Sequence, residues 1–519
     1  MIELVGAITY GLALHERAKT GPDDTALVWI PTSGEPGYFA WRALDEGANR
    51  VARALHAIGI GPGSNVVCGI ANDPACLLTA FAVWRLGATV VVCRPNSSDA
   101  AMHAVAHASS AKLCIGRWVD RPADTAIMGY PELMEASACY SRDRLDHDPV
   151  SVPGLVLASS GSTGQPKLLA SESPHYFFPW ETAGRRADGR RDRMVQGIFG
   201  PMYHAMVAPT AFDGLLRARR TVLLEDFSSE LAINTVKTHG VQLLTLSPPM
   251  MYSIMRTPGV QKEDLSSIQS LRHAGSPCAA HVKRWWIDAL GPSRVFEFYG
   301  TTEEIGNTLI TGDEWLERPG SVGRPLTCEI RIADDIGRQM QHGQIGEVYM
   351  RRPLDLAVPR ALSDSAMSST PDGFLSVGDL GSLDEDGYLY LRGRKTDILD
   401  VDGRQVLPAE IESVLLDHPG VDDAAVFVDT SSSQARLHAM LVLRPDVRQK
   451  PSHGELESYC QDRLETIHIP RLYSFVPRLP RTRVGKLLRH ELANHATSER
   501  HQQSNGDAPD PSIVLRSTE

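Results

Sequence analysis

The chain has 519 residues, of which 42% are hydrophobic and 22% are charged, and its formal net charge is −11. This length predicts two or three domains, and the acidic balance argues against nucleic acid as the main partner because phosphate backbones attract basic surfaces. The eight cysteines form no CxxC pair, so neither a zinc knuckle nor a disulfide framework is indicated, and we expect reduced thiols in a cytoplasmic protein.

The first residues, MIELVGAITYGLALHERAKT, predict a helix. They lack the basic start of a signal peptide, and Glu3 interrupts the apolar run early. No run of about 18 apolar residues occurs, so the sequence predicts no membrane span.

Residues 1 to about 390 alternate between helix-like and strand-like segments. In EGANRVARALHAIGIGPGSNVVCGIAN, Val51, Leu55 and Ile58 recur at helical spacing, a Gly-Pro-Gly turn follows, and NVVCGI is typical of a buried strand. LLTAFAVWRLGATVVVC repeats this order. Such alternation predicts an α/β fold, with a large N-terminal domain of mixed sheets covered by helices.

The segment LASSGSTGQPKLLA at 157–170 follows a predicted strand, GLVLA. Its glycines allow backbone N–H groups to approach an anion, its hydroxyls add donors, and Lys167 adds charge, which together suit a polyphosphate. The pattern GxxxxGK[ST] fails, because Gln165 and Pro166 separate Gly164 from Lys167, and the G-x-S-x-G nucleophile turn fails because residue 160 is serine. On spacing alone, a plain Ser/Gly surface loop is favoured over a phosphate site.

Near residue 380 the pattern changes. GYLYLRGR alternates as a half-buried strand does, and a charged turn follows. The helix LPAEIESVLLDHP, the strands DAAVFVD and RLHAMLVLR, and the helix GELESYCQDRLE then predict a second, smaller α+β domain to about residue 495. The polar, proline-broken segment after it predicts a disordered tail at 496–519.

Five segments together resemble the adenylate-forming superfamily, which comprises acyl-CoA synthetases, peptide-synthetase adenylation domains and luciferases. They are SSGSTGQPK, EFYGTTEE at 297–304, SVGRPL at 321–326, GDLGSLDEDGYLYLRGRKTDILDVDGRQVLPAEIE at 378–412, and PRTRVGKLLRHEL at 480–492. They occur in the family's order over nearly all of residues 1–495. The resemblance is closest to free-standing acyl- or aryl-CoA ligases.

The resemblance implies that a carboxylate attacks the α-phosphorus of ATP and yields an acyl-adenylate and pyrophosphate, which requires positioning and cations more than a nucleophilic side chain. The residues that would close over the β- and γ-phosphates are Ser159, Ser160, Gly161, Ser162, Thr163, Gly164 and Lys167. Thr302 would bond the α-phosphate, Glu303 would hold Mg2+, and Lys486 would bridge the acid and the α-phosphate.

The resemblance also implies a nucleoside site. Tyr299 would lie along the adenine ring, with the turn Gly275-Ser276-Pro277 on the other side, and Asp379 and Arg394 would contact the ribose. Each of these residues has a plainer interpretation when taken alone. Asp379 could be a turn residue and Tyr299 a core residue, Glu303 could be a solvated carboxylate at a helix start, and Lys486 could belong to a basic surface run. Only their joint, ordered occurrence favours the catalytic roles.

Family members use a mobile small domain that swings between two half-reactions. The resemblance divides this chain into an N-terminal domain at 1–393, a hinge at 394–396 and the small domain at 397–495. Thr396 stands where the family has Asp or Lys, and a β-branched residue is stiffer. Gly403 would line the channel for the thiol arm. An ordinary linker and an ordinary turn glycine are the alternatives.

FGPMYHAMVAPTAF matches the family segment beside the substrate carboxylate. The acyl-pocket residues that the resemblance implies are His204, Ala205, Met206, Val207 and Gly300, with a buried structural histidine as the alternative for His204. Their apolar character predicts a hydrophobic or aromatic acid. Asp213 is not predicted to anchor an amine, and core packing is predicted for Cys278 and Trp285. Leu168 and the pair Arg219-Arg220 depart from the family pattern, as Thr396 does.

The leading hypothesis is an ATP- and Mg2+-dependent carboxylic acid:CoA ligase that works as a monomer or homodimer. The first alternative is a free-standing adenylation enzyme that loads the phosphopantetheine of a separate acyl carrier protein. The second, of another class, is a non-catalytic relative that binds nucleotide or an acyl ligand, and the retained Lys486, Glu303 and Asp379 argue against it.

Overall fold

The structure of the protein is a computed structural model. It describes residues 7–95, 98–116, 125–160, 166–170, 175–177, 194–301, 305–334, 336–352, 360–361, 368–429, 435–444, 447, 449–481 and 487–493.

The elements are numbered in chain order. Up to residue 177 they are β1 (Ile8–Thr9), α1 (Tyr10–Thr20), β2 (Thr25–Ile30), β3 (Gly37–Ala40), α2 (Trp41–Ala57), β4 (Asn65–Gly69), α3 (Pro74–Arg85), β5 (Thr89–Cys93), α4 (Asp99–Ala108), β6 (Leu113–Ile115), β7 (Ala126–Met128), α5 (Tyr130–Ser137), β8 (Leu155–Ser160), β9 (Pro166–Ala170) and β10 (Tyr176–Phe177).

From residue 195 to residue 394 the elements are β11 (Val195–Ile198), α6 (Ala208–Arg217), β12 (Arg220–Leu224), α7 (Ser229–His239), β13 (Leu243–Leu246), α8 (Pro248–Met255), β14 (Ser270–His273), α9 (Ala280–Leu290), β15 (Val295–Gly300), β16 (Asn307–Thr311), α10 (Gly312–Glu317), β17 (Arg324–Pro325), β18 (Glu329–Ala333), β19 (Gly346–Arg351), β20 (Arg360–Ala361), β21 (Leu375–Leu383) and β22 (Leu389–Arg394). The rest are β23 (Leu399–Val401), β24 (Arg404–Val406), α11 (Pro408–Leu416), β25 (Val421–Asp429), β26 (Arg436–Leu443), α12 (His453–Gln461) and β27 (Leu472–Phe475).

Two large sheets form the N-terminal part. Among the described residues, one has the order β17-β16-β15-β14-β13-β11-β12-β2-β3 and the other the order β20-β9-β8-β5-β4-β6-β7. Their central strands run parallel; antiparallel strands close both edges of the nine-stranded sheet and one edge of the other, whose opposite edge strand, β7, pairs parallel with β6. Each central strand is buried on both faces, which explains apolar runs such as TVVVC in β5, where every residue is buried.

Local sequence chemistry sets the helix ends. Asp73 caps α3 by accepting the N–H of Ala75, and Ser228 caps α7 by accepting the N–H of Leu231. Gly240 ends α7 in the left-handed conformation, with φ of 62°, which costs a glycine little.

Two apolar cores follow from these layers. One lies around α1, α2, α3 and α6, and includes Leu55, Phe81 and Phe212. The other lies on the opposite face of the nine-stranded sheet, around Trp286 and Met251. A separate antiparallel sheet, β18-β19-β21-β22, carries two of the candidate site residues.

The C-terminal part is a small α+β unit. Its sheet has the order β25-β26-β27 in the described residues, and α11 and α12 share its core with residues such as Leu441 and Leu456. These elements confirm the predicted fold class and the strands and helices predicted after residue 395. The first helix begins at Tyr10, later than the sequence indicated, because residues 8–9 pair with β10. The predicted tail at 496–519 lies outside the described residues.

Candidate active site

Asp379, Tyr299 and Arg394 form a compact polar cluster. The Tyr299 hydroxyl donates to Oδ2 of Asp379 at 2.5 Å, and Nε of Arg394 lies 3.4 Å from Oδ1. Register explains the second contact, because β21 and β22 pair antiparallel with Asp379 opposite Arg394. Asp379 is 7% exposed, whereas more than half of the Arg394 side chain is exposed. The Tyr299 hydroxyl therefore holds the Asp379 carboxylate on its buried side, and the Arg394 guanidinium lies on its solvent side.

Burial raises the pKa of Tyr299 far above its usual range, and the negative charge of Asp379 and the hydrogen bond between them raise it further. The phenol consequently stays protonated at any physiological pH and acts as a donor. It orients the Asp379 carboxylate, which can accept further hydrogen bonds because a carboxylate has about four lone-pair positions.

The turn Gly275-Ser276-Pro277 lies near this cluster by topology. It follows β14, which pairs parallel with β15, so the turn and Tyr299 both lie at the carboxyl ends of adjacent strands. Gly275 has φ of 92°, and a Cβ built there would meet nothing within 4 Å. Because Gly275 has no side chain and Tyr299 is aromatic, a planar ligand ring can lie flat between the turn and the tyrosine. Ligands of parallel α/β sheets bind at this edge of the sheet.

Beneath the turn, a buried ion pair joins helix α9 to strand β15. Lys283 and Glu297 are 3% and 7% exposed and in direct contact. Glu297 is two residues before Tyr299, so the pair ties the strand that carries the tyrosine to the second core. A structure held in this way limits movement of the ring.

His204 lies in the segment between β11 and α6. Asn72 fixes this segment by donating to the Gly200 carbonyl at 3.0 Å and by accepting the N–H of Met202 at 2.9 Å, and it ties the segment to β12 by donating to the Leu224 carbonyl at 2.9 Å. Burial, and then the positive charge of Arg94, lower the pKa of His204 to about 4. The ring is therefore neutral at pH 7 and can either donate or accept a hydrogen bond.

The other predicted acyl-pocket residues divide into two groups. Val207 is buried, and Ala205 and Met206 are half-buried against the first core. Gly300 ends β15 and is exposed, and a Cβ there would come within 2.9 Å of the Gly306 carbonyl oxygen. Gly300 therefore has a backbone reason to be glycine, independent of any ligand.

The predicted phosphate-binding residues are only partly described. Strands β8 and β9 pair antiparallel, with Ser159 opposite Lys167 and Ser160 opposite Pro166, so they bring the two ends of the loop together. Gly161, Ser162, Thr163, Gly164, Thr302, Glu303 and Lys486 lie outside the described residues. Among the described residues, no group of three or more His, Cys, Asp or Glu side chains is arranged to hold a metal ion.

The predicted hinge and channel residues lie on exposed turns. Thr396 is within the short 3-10 turn Lys395–Asp397, and its hydroxyl is 3.4 Å from the Asp397 carboxylate. Gly403 follows Asp402 in the tight turn between β23 and β24, and both have positive φ, 79° and 52°. Two positive φ values at the centre of a hairpin turn favour glycine in the second position.

Residues outside the predicted pocket behave as ordinary structure. Asp213 forms an ion pair with Arg217, one helical turn away, at 2.8 Å. Cys278 and Trp285 pack against the second core. Leu168 is fully buried on β9.

Sequence reasoning missed three residues. Asn72 holds the His204 segment from a distance of more than 120 residues in sequence, and Arg272 lies with Phe298 on one face of the sheet. Once SLRHAG and VFEFYG are known to be neighbouring strands, the alternation of side chains along each strand predicts that Arg272 and Phe298 lie on the same face of the sheet. No local pattern indicates Asn72. In the described part of the chain, no helix is long and apolar enough to cross a bilayer.

A two-part α/β structure with a buried carboxylate, a donor phenol and an open glycine turn at the carboxyl edge of parallel strands defines a nucleotide-binding enzyme. The sequence matches the AMP-binding enzyme family over residues 14–357 and the C-terminal domain of AMP-binding enzymes over residues 410–486. The chain therefore belongs to the AMP-binding enzyme family, as the resemblance of its five motifs indicated.

Individual relatives match over most of their length. The 2-succinylbenzoate--CoA ligase of Bacillus licheniformis is 26% identical over 493 residues, which cover 92% of this chain and 98% of the relative. The fatty acid--[acyl-carrier-protein] ligase ScoC of Streptomyces coeruleorubidus is 27% identical over 481 residues, which cover 88% and 91%. The solved structure of O-succinylbenzoate coenzyme A synthetase from Bacillus subtilis with ATP and magnesium ion is 25% identical, with a TM-score of 0.74 over 92% of this chain and 98% of that one.

Proposed function

We propose that the protein is an ATP-dependent carboxylic acid:CoA ligase. The observation that carries this proposal is the cluster of Asp379, Tyr299 and Arg394 beside the open Gly275 turn, in a chain of the AMP-binding enzyme family. Relatives that match nearly its whole length are named as ligases that join an acid to CoA, and one of them has been solved with ATP and magnesium.

The reaction has two steps. In the first, a carboxylate oxygen attacks the α-phosphorus of ATP, the bond to the β-phosphate oxygen breaks, and pyrophosphate leaves with that electron pair. In the second, the thiol of CoA attacks the acyl carbon and loses its proton, and AMP leaves. Negative charge on the phosphate oxygens rises in the first step, so cations and fixed donors lower its barrier.

The described residues fit the nucleoside. Asp379, oriented by Tyr299, accepts the two ribose hydroxyls, and Arg394 lies at the solvent side of the same carboxylate. The adenine ring lies between Tyr299 and the Gly275 turn. The neutral His204 donates to the acid without competing with it for a proton.

For the remaining contacts the proposal rests on the motifs. Lys486 and Thr302 contact the α-phosphate side, and the loop from Ser159 to Lys167 covers the pyrophosphate end. Bound Mg2+ supplies positive charge to the phosphate oxygens, and Glu303 is the residue assigned to hold it. The small domain turns about residues 394–396 between the steps and brings Gly403 to the thiol channel.

The test is exchange of labelled pyrophosphate into ATP across a panel of aliphatic, aromatic and dicarboxylic acids. We expect exchange that depends on an acid and requires Mg2+. If none of the acids in the panel supports exchange, a non-catalytic nucleotide-binding protein is favoured. A thermal shift with ATP alone establishes that the nucleotide site is intact, because both an enzyme and a non-catalytic relative bind nucleotide, and acid-dependent exchange then distinguishes the two.

The acceptor requires a second experiment, because one relative, ScoC, is named as a ligase that uses a carrier protein. The acid found by exchange is offered together with CoA or with a phosphopantetheine-bearing carrier protein, and thioester formation is measured. Preference for CoA supports the proposal, and transfer only to the carrier overturns it. We further propose a cytoplasmic monomer or homodimer, which cell fractionation and light scattering test.

A further inference from the structure

One face of the nine-stranded sheet continues from β11 to β15 in a single row. Ile198 is opposite Thr245, Thr245 is opposite Arg272, and Arg272 is opposite Phe296 in parallel pairing. Directly opposed residues of neighbouring strands point to the same face, and residues two apart on one strand share a face. Phe298 therefore belongs to this face too.

The opposite face of the same strands is a plain apolar core. Leu244, Leu271 and Val295 each alternate with a member of the row and pack together around Trp286. The strand pairing and the packing of the alternating residues therefore agree that Arg272 lies on the face opposite the second core. Its guanidinium is directed away from the second core.

The segment that carries His204 packs on the same side of the sheet as the first member of the row. Ile198 packs in one core with Met202 and Val207, and Ala205 and Met206 pack against that core. Thr245, Arg272 and Phe298 extend the same face beyond Ile198, toward the strand that ends in Tyr299. In the proposed function the acyl group lies beside His204, on this side of the sheet.

A cation is fixed in this row. The guanidinium carbon of Arg272 lies 4.4 Å from the centre of the Phe298 ring, and Arg272 is half-buried. The contact restricts the long side chain and keeps it on the sheet face. A second cation, Arg94, lies close enough to His204 for its positive charge to lower the pKa of that ring.

We propose that Arg272 binds a second carboxylate of the acid substrate, so that the enzyme activates one carboxyl group of a dicarboxylic acid. The inference rests on the proposed function, and it narrows the predicted hydrophobic or aromatic acid to one that also carries an anion. A planar guanidinium presents N–H donors in a fixed fork that matches a carboxylate, and Thr245 beside it offers a hydroxyl.

The chain limits the distance between the backbone of Arg272 and the nucleotide turn. Arg272 is three residues before Gly275, a span of at most about 10 Å. A short or medium α,ω-dicarboxylic acid, or an aromatic acid with a carboxylate side arm, fits between this arginine and the nucleotide turn.

The experiment compares succinate, adipate and suberate with their monomethyl esters in pyrophosphate exchange. Wild-type protein should prefer at least one diacid over its ester by about 10- to 100-fold in kcat/KM, which equals about 1.4–2.8 kcal/mol at 1.4 kcal/mol per tenfold. Arg272→Met should reduce this ratio to near one, and Arg272→Lys should retain part of it because the charge remains without the fork.

Arg338→Met is the matched control, since Arg338 is exposed and pairs with Asp334 on a surface turn, and its diacid-to-ester ratio should equal that of the wild type. If Arg272→Met does not fold, the diacid-to-ester ratio of kcat/KM for the wild-type protein still tests whether the enzyme recognises a second carboxylate. Equal use of diacids and esters by the wild type, or a ratio that Arg272→Met leaves unchanged, overturns the inference while exchange itself upholds the proposed function. Calorimetric binding of the diacids, weakened by Arg272→Met but without exchange, would uphold the inference and refute the proposed function.

Discussion

The substitution Asp379→Asn tests the nucleoside site. It keeps the size of the side chain and its acceptor for the Tyr299 hydroxyl but replaces the second oxygen with an NH2 group. That group would face either Arg394 or a ribose hydroxyl as a donor. The negative charge that attracts Arg394 at 3.4 Å is also lost.

The magnitude follows from the kind of hydrogen bond that is removed. A hydrogen bond to a charged group contributes about 1.5–3 kcal/mol, and loss of one such bond corresponds to about a 10- to 150-fold weaker affinity. We expect the Kd for AMP and the KM for ATP to rise by that factor. The maximal exchange rate should fall less, because the ribose does not change charge during the reaction.

Calorimetric titration with AMP and pyrophosphate exchange at varied ATP measure the two quantities. Asp372→Asn is the matched control, since Asp372 is an exposed carboxylate paired with Arg331 at 2.6 Å, and it should bind AMP as the wild type does. Circular dichroism and the thermal midpoint establish that both variants fold. Wild-type affinity for AMP in Asp379→Asn would refute the assignment of this carboxylate to the ribose.

Three further predictions concern stability and domain contact. Tyr252→Phe removes the hydrogen bond that Tyr252 donates to Asp422 between α8 and β25, and should lower the free energy of unfolding by about 1.5–3 kcal/mol in urea titrations. Burial lowers the pKa of His175 to about 4. The folded state should therefore lose stability as the pH falls from about 6.5 to about 4, and it should keep that stability at higher pH. In His175→Phe the urea midpoint should depend less on pH across that window. Lys283→Met leaves Glu297 buried without its cation and should cost about 3–5 kcal/mol, and adding Glu297→Gln should recover part of the loss of thermal midpoint.

The sequence is most informative where chemistry is local. The strands and helices after residue 395 follow from alternation and helical spacing within single segments, and the structure confirms them. The contact of Asp379 with Arg394 is also local, because a short hairpin brings 379 and 394 together. The resemblance placed Tyr299 beside them, across 80 residues.

Other features depend on pairing between distant segments. Asn72 holds the His204 segment through bonds to Gly200 and Met202, which are 128 and 130 positions away, and Tyr252 reaches Asp422 across 170 positions. The orientation of Arg272 depends on the register of β13, β14 and β15, and a shift by one residue would turn it into the second core. Propensity and spacing do not contain that register. It is set by how both faces of the sheet are packed.

The contacts around Thr396 give a physical basis for the predicted hinge. The residue before it, Lys395, contacts Glu347 of the four-stranded sheet at 2.9 Å. The residue after it, Asp397, accepts from Arg489 at 2.8 Å, and Arg489 also binds Glu412 of α11 in the small unit.

Each neighbour of Thr396 is thus bound to a different part of the molecule, while Thr396 itself is exposed and its hydroxyl faces the adjacent Asp397 side chain. A rotation of the small unit that preserved both sets of ion pairs would have to be absorbed within the short segment from Lys395 to Asp397, with Thr396 at its centre. A β-branched side chain narrows its own χ1 choices but leaves the two backbone wells that such a rotation needs. The departure from the family's Asp or Lys at this position is therefore compatible with the proposed swing, and it removes only a charge from an exposed turn.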